Sequence, residues 1–166
     1  DYPQDWQSVL EVGNLHPPMT LRVNPAHTSV DTYLQLLADT GIAAKALDES
    51  AILLVQPVGV DRLPGFFDGW VSVQDWGAQQ AARLLDIRDG QRVLDACAAP
   101  GGKSCHLLEL ADIELTALDC DASRLGKVQQ NLDRLGLSAT LLTGDAAESS
   151  TWWDGQRFDR ILADGC

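Results

Sequence analysis

The chain has 166 residues, 45% of them hydrophobic, and a formal net charge of −12 at pH 7. The apolar share is enough for a sizeable core, and the acidity argues against a free-standing nucleic-acid binder gripping phosphates with a basic face. No apolar run approaches membrane-spanning length, and Cys97, Cys105, Cys120 and Cys166 form no C-x-x-C pair, so neither a membrane partner nor a metal such as zinc is expected.

Residues 4–13 carry Trp6, Val9 and Leu10 at helical spacing before Asn14 to Pro18 break the pattern, so residues 1–18 read as a helix and linker. Met19 to Val23 alternate as a strand. From Ser29, where either Ser29 or Thr28 can cap, Val30, Tyr33, Leu34 and Leu37 fall at i, i+3, i+4 and i+7, and Gly41 supplies the stop. Ala43 to Leu47 and Ala51 to Val55 read as two more strands. Residues 19–72 therefore make a small α+β lobe, closed by the aromatic connector Leu63 to Trp70, in which Phe66, Phe67 and Trp70 are read as packing one lobe on another.

Residues 73–166 follow a different order. Gln74 to Ile87 predicts a helix, Gln91 to Leu94 a strand, Lys103 to Leu110 a helix, and Ile113 to Leu118 a second strand. Asp121 caps a helix to Leu135, with Leu125, Val128, Leu132 and Leu135 on one stripe and Gly136 as stop. Thr140 to Leu142 and Arg160 to Ala163 supply strands three and four. Between them a loop or short helix, 146–156, brings Trp152 and Trp153 as sheet-covering side chains. This order argues an α/β domain with a parallel sheet and right-handed crossovers. Asp1 in place of Met, and Cys166 directly after a strand, read as cut ends.

The chain turns on Val93 to Ser104, an apolar run that stops at Asp95, passes through small residues and enters a helix. Gly101 and Gly102 allow close approach of a ligand, and the open N–H groups of the helix start attract an anion. The four strands end near Asp95, Asp119, Asp145 and Asp164, which aims four carboxylates at one sheet edge. Each acid taken singly also fits a turn or helix cap.

Three ligands compete for the loop. A phosphate loop requires G-x-x-x-x-G-K-[ST]; Cys97 to Ser104 meets it except at the first glycine, and Pro100 removes a donor. A nicotinamide enzyme needs G-x-G-x-x-G, which is missing. S-adenosyl-L-methionine suits the pattern: its carboxylate at the helix start, its ribose on Asp119 and its adenine near Asp145.

The run Asp95-x-Cys97-Ala98-Ala99-Pro100-Gly101-Gly102-Lys103 resembles the cofactor motif of the Sun-type RNA cytosine-C5 methyltransferases. Tyr2-Pro3-x-x-Trp6-Gln7-Ser8, Pro17-Pro18-Met19-x-Leu21-Arg22-Val23-Asn24, and Leu63-Pro64-Gly65-Phe66 through Val73-Gln74-Asp75 extend the likeness along essentially the whole chain, toward the family's bacterial 16S ribosomal RNA members. The resemblance implies a Rossmann-like methyltransferase domain, truncated after its fourth strand, behind a small RNA-facing lobe. It implies an enzyme of ribosomal RNA processing that methylates cytosine C5; a cytoplasmic setting is expected from cysteines read as thiols and an opening without an export-signal pattern. Cys97, Ala98, Ala99, Pro100, Gly101, Gly102 and Lys103 would line the methionine part of the cofactor, Asp119 the ribose and Asp145 the adenine, with Asp164 beginning the motif beside the transferred methyl.

In that family a cysteine thiolate attacks cytosine C6, C5 takes the methyl group, and a base removes the C5 proton. The attacking cysteine lies in a Thr-Cys motif that this sequence lacks, so Cys97, Cys105 and Cys120 are not promoted to nucleophile. Asp164-Gly165-Cys166 departs from the family's Asp-Ala-Pro-Cys, leaving Cys166 at most a product-release group. The expectation is a piece that carries the cofactor site without a complete catalytic apparatus. The alternative is a module that binds S-adenosylmethionine or RNA without turnover.

Overall fold

Helix α1 (Val30–Asp39) shows how locally its limits are written: the Ser29 side chain accepts from the Thr32 N–H, while Gly41, at φ 75°, turns the chain away. The computed structural model describes residues 18–164 and Trp6. The helix expected over 4–13, and Gly165 and Cys166, lie outside the described residues.

The first sheet has the order β2-β3-β1-β4, formed by β1 (Thr20–Val23), β2 (Ala44–Ala46), β3 (Ala51–Leu54) and β4 (Val71–Val73), all antiparallel. Period-two alternation gives β1 two faces. Leu21 and Val23 enter a core with Tyr33 and Leu37 of α1, Ile52, Leu54 and Val71. Thr20 and Arg22 point the other way and are buried too, because that face meets the second half of the chain. The Thr20 hydroxyl donates to the Gln74 carbonyl at 2.6 Å.

The aromatic connector packs as expected at Phe66 and Trp70, which lie against this first core, whereas Phe67 is exposed. The Arg134 guanidinium sits over the Phe66 ring at 4.4 Å and donates to the Phe66 and Val71 carbonyls and the Ser72 hydroxyl. Strand β4 escaped the sequence reading because a three-residue strand has no room to show a period. Its backbone pairs across the sheet with β1, and the Val71 carbonyl also accepts from Arg134. It carries the first sheet to Val73, and the next helix, α2 (Trp76–Leu84), starts later than expected, at an Asp75 cap that accepts from the Gly77 and Ala78 N–H groups.

The second sheet is parallel, in the order β7-β6-β5-β8, with β5 (Arg92–Asp95), β6 (Glu114–Asp119), β7 (Thr140–Thr143) and β8 (Arg160–Leu162). Helices α3 (Gly102–Leu110) and α4 (Ala122–Leu135) and helix α2 cover one face, through Val93, Leu107, Leu115 and Ala117 and the α4 stripe of Leu125, Val128, Leu132 and Leu135. On the other face Leu94, Ala96 and Leu118 pack with Trp152 and Phe158, leaving an open apolar groove of about 550 Å³ that reaches Ile161 and Ala163.

Two expectations are corrected. Trp153 does not cover the sheet: it stays largely exposed and donates to the Gln156 carbonyl of its own loop. Cys120, which the sequence places in a helix or core environment, is exposed just beyond β6. His106, which the sequence places on a helix or at the surface, lies in α3 and is buried there.

Candidate functional site

Strand β5 delivers Asp95 to its carboxyl end, where the carboxylate is buried and accepts from the Ser104 hydroxyl at 2.6 Å and the Cys97 N–H at 3.4 Å. Burial raises its pKa and the Ser104 hydrogen bond opposes that rise. Asp95 thus ties the start of the loop to the first turn of α3. Between them Gly101 sits at φ 101°, and a Cβ there would stand 3.1 Å from the Val128 backbone. Gly101→Ala should therefore cost about 2 kcal/mol or more, from left-handed strain plus that contact; a urea midpoint equal to wild type would refute it.

Asp119, at the end of β6, is also buried. Its Oδ2 accepts from the Ala99 N–H at 3.0 Å, its Oδ1 from the Asp121 N–H at 3.1 Å, and Arg124 lies 3.6 Å from Oδ1. Arg124 also donates to the Ala99 carbonyl and Asn131 to the Pro100 carbonyl. Residues 124, 128 and 131 lie at i, i+4 and i+7, so one stripe of α4 holds the loop. That stripe went unnoticed in the sequence because only its apolar member, Val128, fits a core pattern.

The four acids divide in two. Asp95 and Asp119 brace the loop from within, whereas Asp145 and Asp164 are exposed at the same strand ends. Asp145 accepts from the Ala147 N–H, and its carbonyl accepts from the Trp152 indole. Asp164 forms an ion pair with Lys103 at 2.5 Å. In an open parallel sheet, ligands settle outside the carboxyl ends at the point where strand order reverses. Here that point lies between β5 and β8, the two strands whose following residues carry Lys103 and Asp164. Three elements frame the space there: the glycine loop, the N-terminal turn of α3 with its unsatisfied N–H groups, and the exposed carboxylates.

Cys105 is buried behind α4 and its thiol is pushed up to about 11, so it carries almost no thiolate near neutral pH. Cys97 belongs to the loop and Cys120 is exposed at the end of β6. Among the described residues, no cluster of three or more His, Cys, Asp or Glu could hold a metal ion, and no helix is long and apolar enough to cross a membrane.

The parallel sheet, its helices and the loop-to-helix site at the strand-order reversal define a Rossmann-like methyltransferase fold. A methyltransferase homologue from Pyrococcus horikoshii has the same fold, with a TM-score of 0.81 and 27% identity over 96% of this chain and 54% of that one. The model of the 16S rRNA methyltransferase RsmB/F family matches residues 82–166, and that of an RsmF/B-like, ferredoxin-like domain matches residues 1–61. The chain belongs to the 16S rRNA methyltransferase RsmB/F family.

It is 50% identical to ribosomal RNA small subunit methyltransferase B of Pseudomonas syringae pv. tomato, and 52% identical to that of Pseudomonas putida, over 98% of its length in each case. It spans 37% and 38% of the length of those two relatives.

Proposed function

We propose that residues 73–166 form the S-adenosyl-L-methionine site of an enzyme that methylates cytosine C5 in 16S ribosomal RNA in the cytoplasm, with residues 19–72 as its RNA-facing lobe. The observation that carries this is the Lys103–Asp164 ion pair across the β5/β8 reversal, directly beside the glycine loop. The rRNA substrate is supported by the names of the relatives, and the C5 position by the Asp95 to Lys103 motif.

The residues present fit the cofactor. The first turn of α3 and the Lys103 ammonium suit its carboxylate. A carboxylate offers about four lone-pair sites, so Asp119, with two taken by backbone N–H groups, can still accept from ribose hydroxyls once Arg124 swings toward solvent. Asp145 can accept from the adenine amine. When bound, the cofactor supplies a methyl group on a cationic sulfur, open to displacement by a carbon nucleophile.

The chain's own task is then to fix that group: Cys97 to Lys103 hold the amino-acid end, and Asp164 lies beside Lys103 on the side where the substrate base would enter. With Cys105 protonated and no Thr-Cys pair in the sequence, methyl transfer to RNA is not expected of these 166 residues alone.

Calorimetric titration tests this, using S-adenosylmethionine and magnesium ATP in parallel on wild type and Lys103→Met. Saturable binding of S-adenosylmethionine, weakened about tenfold in the variant and with no response to ATP, is expected for loss of one charge-assisted contact. Magnesium-dependent ATP binding that needs Lys103 would instead make this a phosphate loop.

A further inference from the structure

Arg22 stands on the middle of the first sheet yet is almost completely buried against the second half of the chain, its side chain 1% exposed and that of Glu109 2%. Its guanidinium makes a fork to Glu109 on α3, Nε to Oε2 at 2.8 Å and Nη2 to Oε1 at 2.7 Å. Its remaining nitrogen, Nη1, donates to the Gly102 carbonyl at 3.0 Å and to Gln74 Oε1.

One side chain from the first sheet therefore holds α3 at both ends, at Gly102 where the loop becomes helix and at Glu109 near its close. Gln74 completes the bridge. Its backbone N–H donates to the Thr20 carbonyl of β1. Its buried amide Nε2, with no partner among the described residues, lies 3.7 Å from where a Cβ on Gly102 would stand.

A buried pair of this kind is weak evidence for stability, because the attraction of the charges is set against their desolvation. Arg134 already joins the halves through carbonyls and the Phe66 ring, without touching the loop. What Arg22 does and Arg134 does not is restrain the peptide at Gly102.

We propose that Arg22 is a positioning residue for the glycine loop, coupling the docking of the first sheet to the geometry of the first turn of α3 and so to cofactor affinity. The last link rests on the functional proposal for residues 97–103; the mechanical link to the loop does not.

Two readouts separate these. Amide hydrogen exchange reports the loop without any ligand, and titration with S-adenosylmethionine reports affinity. The variants are Arg22→Met, the paired Arg22→Met/Glu109→Met, which removes both charges, and Arg134→Met as a control that loosens the halves elsewhere. Exchange at the hydrogen-bonded amides of the loop and first turn, Ala99, Gly101 and Cys105, should rise about tenfold or more in Arg22→Met relative to wild type. The paired variant should regain thermal stability, since no uncompensated charge remains. Its loop should stay fast-exchanging and its affinity low, because the Gly102 carbonyl has still lost its donor. Arg134→Met should lower stability and leave the loop unchanged.

Loop protection and affinity restored in the paired variant would reduce Arg22 to a structural ion pair and overturn the proposal. Should Arg22→Met fail to fold, the paired variant and Arg22→Lys decide it, Lys being unable to serve Glu109 and Gly102 together; wild-type loop exchange in both would equally overturn it. Fast loop exchange in the variants with no S-adenosylmethionine binding by wild type would keep the positioning role and remove the cofactor reading.

Discussion

Replacing Asp119 with alanine should lower stability by about 2–4 kcal/mol and abolish measurable binding of S-adenosylmethionine, the larger of the two functional losses expected from a single substitution in the second sheet. The stability loss follows from donors left without an acceptor: the Ala99 and Asp121 N–H groups both depend on this carboxylate, and each unsatisfied buried donor costs about 1–3 kcal/mol. The binding loss has two sources, removal of the proposed ribose acceptor and release of the loop at Ala99. Asp119→Asn separates them. Its amide oxygen can keep one N–H bond, so urea unfolding should show about half the loss of the alanine variant. An alanine variant as stable as wild type would show that Asp119 does not brace the loop.

Acid should weaken the fold well above the pH at which carboxylates protonate, and His106 is the reason. Burial pushes its imidazole down to about 3, and the nearby Arg22 and Arg83 charges add to that, with Asp48 opposing weakly. Its buried Nδ1 has no hydrogen-bond partner among the described residues, so no acceptor at that nitrogen favours the protonated ring.

The unfolded chain takes up this proton near pH 6.5 and the native chain only near 3, so the unfolded state binds more protons throughout that interval. The contribution is fully present above about pH 6.5 and lost as pH falls, at up to about 1.4 kcal/mol per pH unit and on the order of 4 kcal/mol over the interval. Asp95, whose pKa is raised by burial, works in the opposite direction at the lower end. Urea midpoints at pH 7, 6 and 5 should fall steeply for wild type and more gently for His106→Leu. Parallel profiles would show that His106 does not set the acid limit.

Much of the local structure could be read from neighbouring residues. Ser29, Asp121 and Gly136 marked helix ends because a cap or a left-handed stop acts within one turn of its own residue. The strand, glycine loop and helix around Asp95 to Lys103 were legible for the same reason, as was the leucine and valine stripe of α4. The acids at the strand ends could be counted in advance. Their division into two buried braces and two exposed carboxylates could not, since it depends on which N–H groups the fold carries to Asp119 from twenty residues away.

By itself, then, the sequence determined the element order, the parallel character of the second sheet and the motif that places the chain in its family, because each rests on periodicity, capping or residue type within a few positions. Tertiary structure alone decided that β4 exists, that His106 and Arg22 are buried, and that Lys103 meets Asp164. Arg22 and Glu109 are 87 residues apart, and no local rule distinguishes a charged strand residue that faces water from one that faces a second half of the chain. The difference is made when two surfaces meet and exclude solvent, since only then must every buried donor and acceptor find a partner.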